Sequence, residues 1–149
     1  MGGYQVADLM EDIVTTAQNF VQNMQQYYET PLDYSFESLA EVDEMLGGLG
    51  KRREEFREEG FFDLYSMTGC YVFEVARRNF GGEYFWIEEE QQPILVAGQP
   101  DFSVSIRAWE KVKERMVNGP ADNIAFYIAG YQEHIEKGKK QKGYHVTIV

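Results

Sequence analysis

The sequence predicts a single α+β domain over residues 1–149, in which four or five helices pack on a small antiparallel sheet. A chain of 149 residues is long enough to bury a core. Its apolar content of 44%, with 15% aromatic residues, is far above that of a disordered chain. Helical spacing of apolar residues dominates both ends, and two strand-like runs lie between them. No repeat, linker or second domain is visible.

Two helices are predicted in the first third of the chain. The first covers residues 6–28 and stops before Pro31. Its apolar positions recur every three or four residues at Leu9, Ile13, Thr16, Phe20, Met24 and Tyr27. The second follows Ser35, which can act as its N-cap, and its inward positions are Leu39, Val42, Leu46 and Leu49. The glycine-rich run 47–50 is expected to end this second helix.

The most strongly patterned segment is a third helix, from Asp63 to Asn79. Its inward stripe consists of Leu64, Met67, Tyr71, Val72, Val75 and Ala76. Asp63 near its start and Arg77 and Arg78 near its end match the helix dipole, and the pair Gly81-Gly82 supplies a helix stop. The mixed-charge run 51–59 before this helix is expected to lie on the surface.

A hairpin is predicted from residues 84–88 and 94–97, which are rich in aromatic and β-branched side chains and flank a polar turn. A fourth helix is expected from Ser103 to Val117, before the stop signal Asn118-Gly119-Pro120. The last helix should bury one face, made of Ile124, Tyr127, Ile128, Tyr131 and Ile135. Residues 144–149 alternate in polarity, so they could add a final strand to the hairpin sheet.

The net charge of the chain favours some classes of partner over others. The net charge is −11, and residues 1–50 carry nine acids without a single Lys or Arg. Phosphate backbones and anionic lipids would be repelled, so we expect no nucleic-acid partner and no membrane association. A basic protein partner would be attracted, although an acid excess also simply keeps a domain soluble.

The cysteine content and the N-terminal residues predict the cellular compartment, and the positions of Cys and His indicate whether they are reactive groups. Cys70 is the only cysteine, and residues 1–4 lack the basic start of a signal peptide, so we expect a cytoplasmic protein. Cys70 falls within the third predicted helix, where a small buried apolar role is more typical than that of a nucleophile. The two histidines, His134 and His145, lack the spacing of a metal site. We expect no metal and no cofactor.

No motif for catalysis stands out either. Glu74 is the one carboxylate near the core edge of the third helix, and it could pair with Arg77 or Arg78, three and four residues later. That pairing is more typical of a structural role than of acid–base catalysis. The side chains that we select as interaction or pocket candidates are Tyr71, Glu74, Arg78, Tyr84 and Trp86.

Two sets of apolar side chains are candidates for contact with a partner protein. Tyr84, Phe85 and Trp86 are consecutive, so strand alternation places at least one of these rings on the opposite sheet face. That ring is either covered by another helix or exposed to a partner. The first helix carries extra apolar residues beside its main stripe, which would suit a homodimer or a broad core: Val6, Met10, Ala17 and Val21.

Two segments carry a family resemblance. They are LDYSFESL at residues 32–39 and YVFEVARRNFGGEY at residues 71–84. In order and spacing they resemble a pattern of uncharacterised bacterial proteins grouped as a domain of unknown function, over roughly residues 30–120. The resemblance implies a bacterial source and an α+β domain. It implies no activity and no catalytic residues.

The leading hypothesis for function is a non-enzymatic bacterial module that binds another protein through an acidic surface. Its sharper form is an immunity or antitoxin-like protein, since a small acidic domain can mask a basic toxin such as a nuclease. The alternative is an enzyme or small-ligand-binding protein with a pocket between helices and sheet. In that case Tyr71, Glu74 and Arg78 would be the first residues to consider.

Overall fold

The computed structural model of the chain describes residues 6–149, and the side chains from Asp8 onwards. This part of the chain contains five α-helices and a four-stranded sheet, which confirms the predicted α+β class. In chain order the elements are α1 (Val6–Met24), α2 (Ser38–Gly50), α3 (Glu58–Phe80), β1 (Glu83–Ile87), β2 (Gln92–Ala97), β3 (Ser103–Ile106), α4 (Ala108–Asn118), α5 (Ile124–Lys140) and β4 (His145–Thr147).

The sheet has the strand order β1-β2-β3-β4. The predicted hairpin is confirmed, with β1 antiparallel to β2 and Tyr84 opposite Leu95. The predicted C-terminal strand also exists, but it runs parallel to β3, so the sheet is mixed and the prediction of an antiparallel sheet is wrong. The reason is the connection: α4 and α5 lie between β3 and β4, and a helical crossover returns the chain to the end at which β3 began.

The segment 103–117 differs from its predicted structure. We expected one helix, whereas Ser103–Ile106 forms strand β3 and the helix α4 begins only at Ala108. Strand β3 is paired on both sides, antiparallel to β2 and parallel to β4. A four-residue segment has little intrinsic preference of its own, so pairing with the neighbouring strand β2 and the distant strand β4 decides its conformation.

Helix α3 is the centre of the molecule. Nine consecutive residues of this helix, Thr68 to Ala76, are buried, because α1 packs on one side of it and α4 on another. At Gly69 a Cβ atom would lie 2.6 Å from Cδ1 of Trp109, so glycine permits the close approach of α4. The prediction of a single inward stripe therefore underestimated the burial of this helix.

Helix α2 ends at Gly50, within the glycine-rich run 47–50 that was expected to end it. A Cβ atom at Gly50 would lie 2.5 Å from the carbonyl oxygen of Met116, and one at Gly47 would lie 2.8 Å from Nη2 of Arg115. Two of the three glycines thus let α4 approach the backbone of α2. A Cβ at Gly48 would meet nothing within 4 Å.

Helix α1 contributes Leu9, Ile13, Ala17 and Phe20 to the core. Ala17, which we had considered for a homodimer, is therefore buried, while Met10 is exposed and Val21 is half-buried. The side chain of Val6 lies outside the described residues, as does the segment 1–4. Tyr27, predicted as a core position, is 73% exposed because the helix ends at Met24 and a short 3₁₀ turn follows.

The helices of the described chain differ from membrane spans. Among residues 6–149, none of them combines the length and the apolar character that crossing a bilayer requires.

Candidate functional site

Glu74 is the centre of a hydrogen-bonded network at the C-terminal half of α3. Its Oε2 accepts from Nε of Arg77 at 2.7 Å and from the hydroxyl of Tyr84 at 2.8 Å. Its Oε1 accepts from Nη2 of Arg77 at 2.8 Å and from Nε of Arg78 at 3.0 Å. The carboxylate has no exposed surface. The predicted pairing of Glu74 with Arg77 and Arg78 is confirmed, and Tyr84 on β1 is a third partner that was not predicted.

Arg78 connects this network to a stack of two tyrosines. Its guanidinium carbon lies 3.7 Å from the ring centroid of Tyr34, and the Tyr34 ring stacks on that of Tyr71 with centroids 5.1 Å apart. The Tyr71 hydroxyl accepts from the Tyr34 backbone N–H at 3.1 Å and lies 2.7 Å from the hydroxyl of Ser38. Asn79 donates to the Tyr34 carbonyl at 2.8 Å. Tyr34 has φ +66°, a left-handed conformation that these contacts hold in place.

The two sequence segments that carry the family resemblance therefore pack against each other. Tyr34 and Ser38 belong to the segment 32–39, and their partners Tyr71 and Arg78 belong to the segment 71–84. Four of the five candidate residues, Tyr71, Glu74, Arg78 and Tyr84, thus fall in one network. Their contacts explain why both segments carry a polar and aromatic pattern.

The proton affinities of this network reflect burial and charge. Burial raises the pKa of Glu74, but hydrogen bonds from Arg77, Tyr84 and Arg78 outweigh it and hold the pKa below the usual range of a glutamate. Burial and the neighbouring Glu74 carboxylate raise the pKa of Tyr84 far above that of an ordinary tyrosine. Glu74 is therefore an anion at neutral pH whose oxygens are occupied by protein donors. Such a group suits a structural role better than proton exchange with a substrate.

Trp86, the fifth candidate residue, lies on β1. It shares a sheet face with Tyr84, two residues earlier on β1, while Phe85 points to the opposite face. The Trp86 ring contacts that of Trp109 on α4, with centroids 6.1 Å apart and planes at 78°. Four of the five candidate residues thus share the Glu74 network, and Trp86 contacts Trp109 on α4.

A groove of about 640 Å³ lies between the end of α1 and helix α2, and all of its lining residues except Arg52 belong to the segment 1–50, which carries no Lys or Arg. Its apolar part is contributed by Met24, Tyr27, Tyr28, Met45 and Leu49, and its charged part by Glu41, Glu44 and Arg52. These residues form what we call the α1–α2 groove. Its volume is in the range of ligand and peptide sites in proteins.

The electrostatics of the α1–α2 groove are negative. Glu44 is exposed and Glu41 is half-exposed, whereas Arg52 is held by a two-point ion pair with Glu55, at 3.0 and 2.9 Å. Burial, followed by the nearby carboxylate of Glu41, raises the pKa of Tyr28 well above that of an ordinary tyrosine. The charge of Arg52 is thus largely cancelled by Glu55, and the two remaining glutamates set the sign of the groove.

A second buried carboxylate, Asp43, was missed by sequence reasoning. Its Oδ1 accepts from Nε of Arg115 at 2.9 Å and from the N–H of Ile124 at 2.8 Å, and its Oδ2 accepts from Asn123 at 3.1 Å. Asp43 follows Leu39 by four residues and precedes Leu46 by three. It therefore lies on the inward face of α2, and that spacing was the available signal.

Cys70 is buried, as its place in the third predicted helix indicated, and lies under Trp109, whose indole N–H donates to its sulfur at 3.4 Å. Burial raises the pKa of the Cys70 thiol to about 12, with the indole contact acting in the opposite direction. At neutral pH the sulfur is a thiol, not a thiolate, so it is a poor nucleophile.

No protein-family model, curated protein sequence or solved structure matches this chain. The resemblance of residues 32–39 and 71–84 to a bacterial family therefore stays a prediction.

Proposed function

We propose that this chain is a non-enzymatic module that binds a basic protein partner, and that the α1–α2 groove is its contact surface. The observation that carries the proposal is the combination of an apolar floor with an acidic rim in one groove. Methionine side chains adapt to different partner shapes, and an exposed tyrosine supplies a large contact area. Tyr27, 73% exposed at the edge of the groove, has this character.

The distribution of charge supports a basic partner. Of the nine acids in residues 1–50, Asp43 is buried in an ion pair with Arg115. The other eight are exposed or half-exposed: Asp8, Glu11, Asp12, Glu29, Asp33, Glu37, Glu41 and Glu44. A surface of one sign attracts a partner of the opposite sign and raises the rate of association. The surface of residues 1–50 would therefore favour basic proteins over nucleic acids.

An immunity or antitoxin-like role is the finer form of this proposal. A basic toxin, such as a nuclease, presents a cationic surface to its substrate, and an acidic domain that covers this surface would block it. The groove would then bind an apolar side chain of the toxin, while the glutamates of its rim would pair with toxin lysines or arginines. A toxin gene beside the gene for this chain would support this form.

The alternative, a pocket built on Tyr71, Glu74 and Arg78, is less well supported. Glu74 has no exposed surface, and its two oxygens accept four hydrogen bonds from Arg77, Arg78 and Tyr84. A catalytic carboxylate needs access to the reacting atoms.

The test is capture of a partner by the immobilised chain from the lysate of its own host, at low and at high salt. We expect a stoichiometric basic protein that is lost at high salt, because screening weakens exposed charge pairs. The variant Glu41→Lys/Glu44→Lys should lose the same protein at low salt. The matched control, Glu133→Lys/Glu136→Lys on α5, makes the same charge change away from the groove and should retain it. The proposal would be refuted if neither high salt nor the variant Glu41→Lys/Glu44→Lys reduced the amount of captured protein.

A further inference from the structure

A second cavity, of about 480 Å³, lies between α1, α3, β1 and α4. Both tryptophans of the chain line it, Trp86 from β1 and Trp109 from α4. Their rings meet at 78° and form an aromatic corner. On the α1 side the cavity is lined by the carboxylates of Glu11 and Asp12. We call this cavity the tryptophan corner.

The position of Trp109 is determined by its surroundings before any ligand arrives. Its indole N–H donates to the sulfur of Cys70, and Gly69 leaves the space that its ring and backbone occupy. The ring of Phe62 packs edge-on against the Trp109 ring, with the ring centroids 5.8 Å apart. A ring held in this way loses little conformational freedom when a ligand binds, which favours affinity.

The charge of the tryptophan corner is negative. Glu11 and Asp12 are exposed, and neither forms an ion pair with any residue that the structure describes. The described residues that line the cavity include no Lys or Arg. Indole faces attract cations through their quadrupole, and carboxylates attract them through charge.

We propose that the tryptophan corner binds an organic cation, an alkylammonium or guanidinium group, between the indole rings and the carboxylates of Glu11 and Asp12. The apolar floor, which includes Leu9 and Ile13, would accommodate the methylene groups next to the charge. A metal ion would gain little from the indole rings, and an anion would be repelled. The same chemistry is offered by a free small cation and by a lysine or arginine side chain of a protein.

The composition of the chain provides a direct assay. Because the chain contains two tryptophans and both line this cavity, tryptophan fluorescence reports on the tryptophan corner alone. Tetramethylammonium and ethylguanidinium chloride would be titrated at constant ionic strength, with sodium chloride and uncharged tert-butanol as controls. A third arm would use short peptides that contain one arginine or one lysine. We expect a saturable change with the cations or the peptides and no saturation with either control.

The deciding variant is Glu11→Gln/Asp12→Asn, which removes two exposed charges and leaves the core unchanged. We expect it to weaken binding about fivefold. The control Glu133→Gln/Glu136→Gln on α5 should bind like the unchanged chain. Saturation with free cations would identify a small-molecule ligand, and saturation with the peptides alone would identify a side chain of a partner.

Two outcomes would overturn the proposal: a response equal to that of sodium chloride or tert-butanol, and an affinity that Glu11→Gln/Asp12→Asn leaves unchanged. Failure here is separable from failure of the proposed function. The groove variant Glu41→Lys/Glu44→Lys changes neither the tryptophans nor the two carboxylates, so it should leave the cation titration as it is.

Discussion

Glu74 and Asp43 are both buried carboxylates that accept hydrogen bonds from arginine, but they differ in where their partners come from. Two partners of Glu74 follow it by three and four residues on the same helix. Arg115, the charged partner of Asp43, lies 72 residues away, and the N–H of Ile124 lies 81 residues away. The charged partners of Glu74 therefore lie within one helix end, whereas the partners of Asp43 join α2 to α4 and to the start of α5.

Exposure of the paired arginines also differs between the two networks. The side chains of Arg77 and Arg78 are 23% and 36% exposed, whereas that of Arg115 is 9% exposed. If its carboxylate is removed, an arginine near the surface can turn to water, but a buried one cannot. The comparison predicts that loss of Asp43 costs more stability than loss of Glu74.

The largest effect is expected for Asp43→Ala. This variant leaves Arg115 as a buried charge and the N–H of Ile124 without its acceptor, and we expect the free energy of unfolding to fall by about 4 kcal/mol. Urea denaturation would measure it. Glu44→Ala, the next residue on the same helix and exposed, should change the free energy of unfolding by less than about 0.5 kcal/mol.

A smaller loss is expected for Glu74→Gln. The amide keeps the shape of the side chain but removes its charge and replaces one acceptor oxygen by an NH2 donor, so two of the four hydrogen bonds from Arg77, Arg78 and Tyr84 lose their acceptor. We expect a loss of about 2 kcal/mol in the same denaturation experiment, with exposed Glu136→Gln as the control. A loss as large as that of Asp43→Ala would show that the exposure of the arginines does not decide the difference.

The close packing that brings Asp43 to Arg115 can be tested at two glycines of α2. In Gly50→Ala the new methyl group would press on the backbone of Met116, an overpacking of roughly 2 kcal/mol. Greater helix propensity of alanine would offset about 1 kcal/mol of this, for a net loss of about 1 kcal/mol. In the control Gly48→Ala the methyl group meets open space, so the melting temperature should rise instead. If Gly50→Ala and Gly48→Ala both raised or both lowered the melting temperature, this account would be contradicted.

The smallest effect is in the pH dependence of stability. Since the pKa of Glu74 is lowered in the folded chain, the unfolded chain binds its proton first as the pH falls. The stabilisation from this group is complete above the ordinary glutamate pKa of about 4.3 and is lost as the pH falls through the folded pKa. The difference in unfolding free energy between the unchanged chain and Glu74→Gln should therefore shrink in acid. Urea titrations at a series of pH values would measure it, and a constant difference would contradict the assignment.

Interactions within a few residues were accessible from the sequence. The spacing of apolar residues predicted α1, α2, α3 and α5, and turn residues with a strand-like composition predicted the hairpin of β1 and β2. Glu74 and its arginines were found in the same way, because residues three and four apart on a helix face each other. Tyr84 was named as a candidate, but its hydrogen bond to Glu74 joins two elements and was not predicted.

By itself the sequence determined the α+β class, most of the helices and the acid-only character of residues 1–50. Tertiary structure alone decided that Ser103–Ile106 is a strand, that β4 runs parallel to it and that Asp43 meets Arg115. It also decided that the α2 glycines admit α4, and that both tryptophans line one cavity with Glu11 and Asp12. The physical reason is the distance along the chain between the residues involved. Helical and strand periodicity depends on residues a few positions apart, whereas these features exist only after packing brings distant segments together.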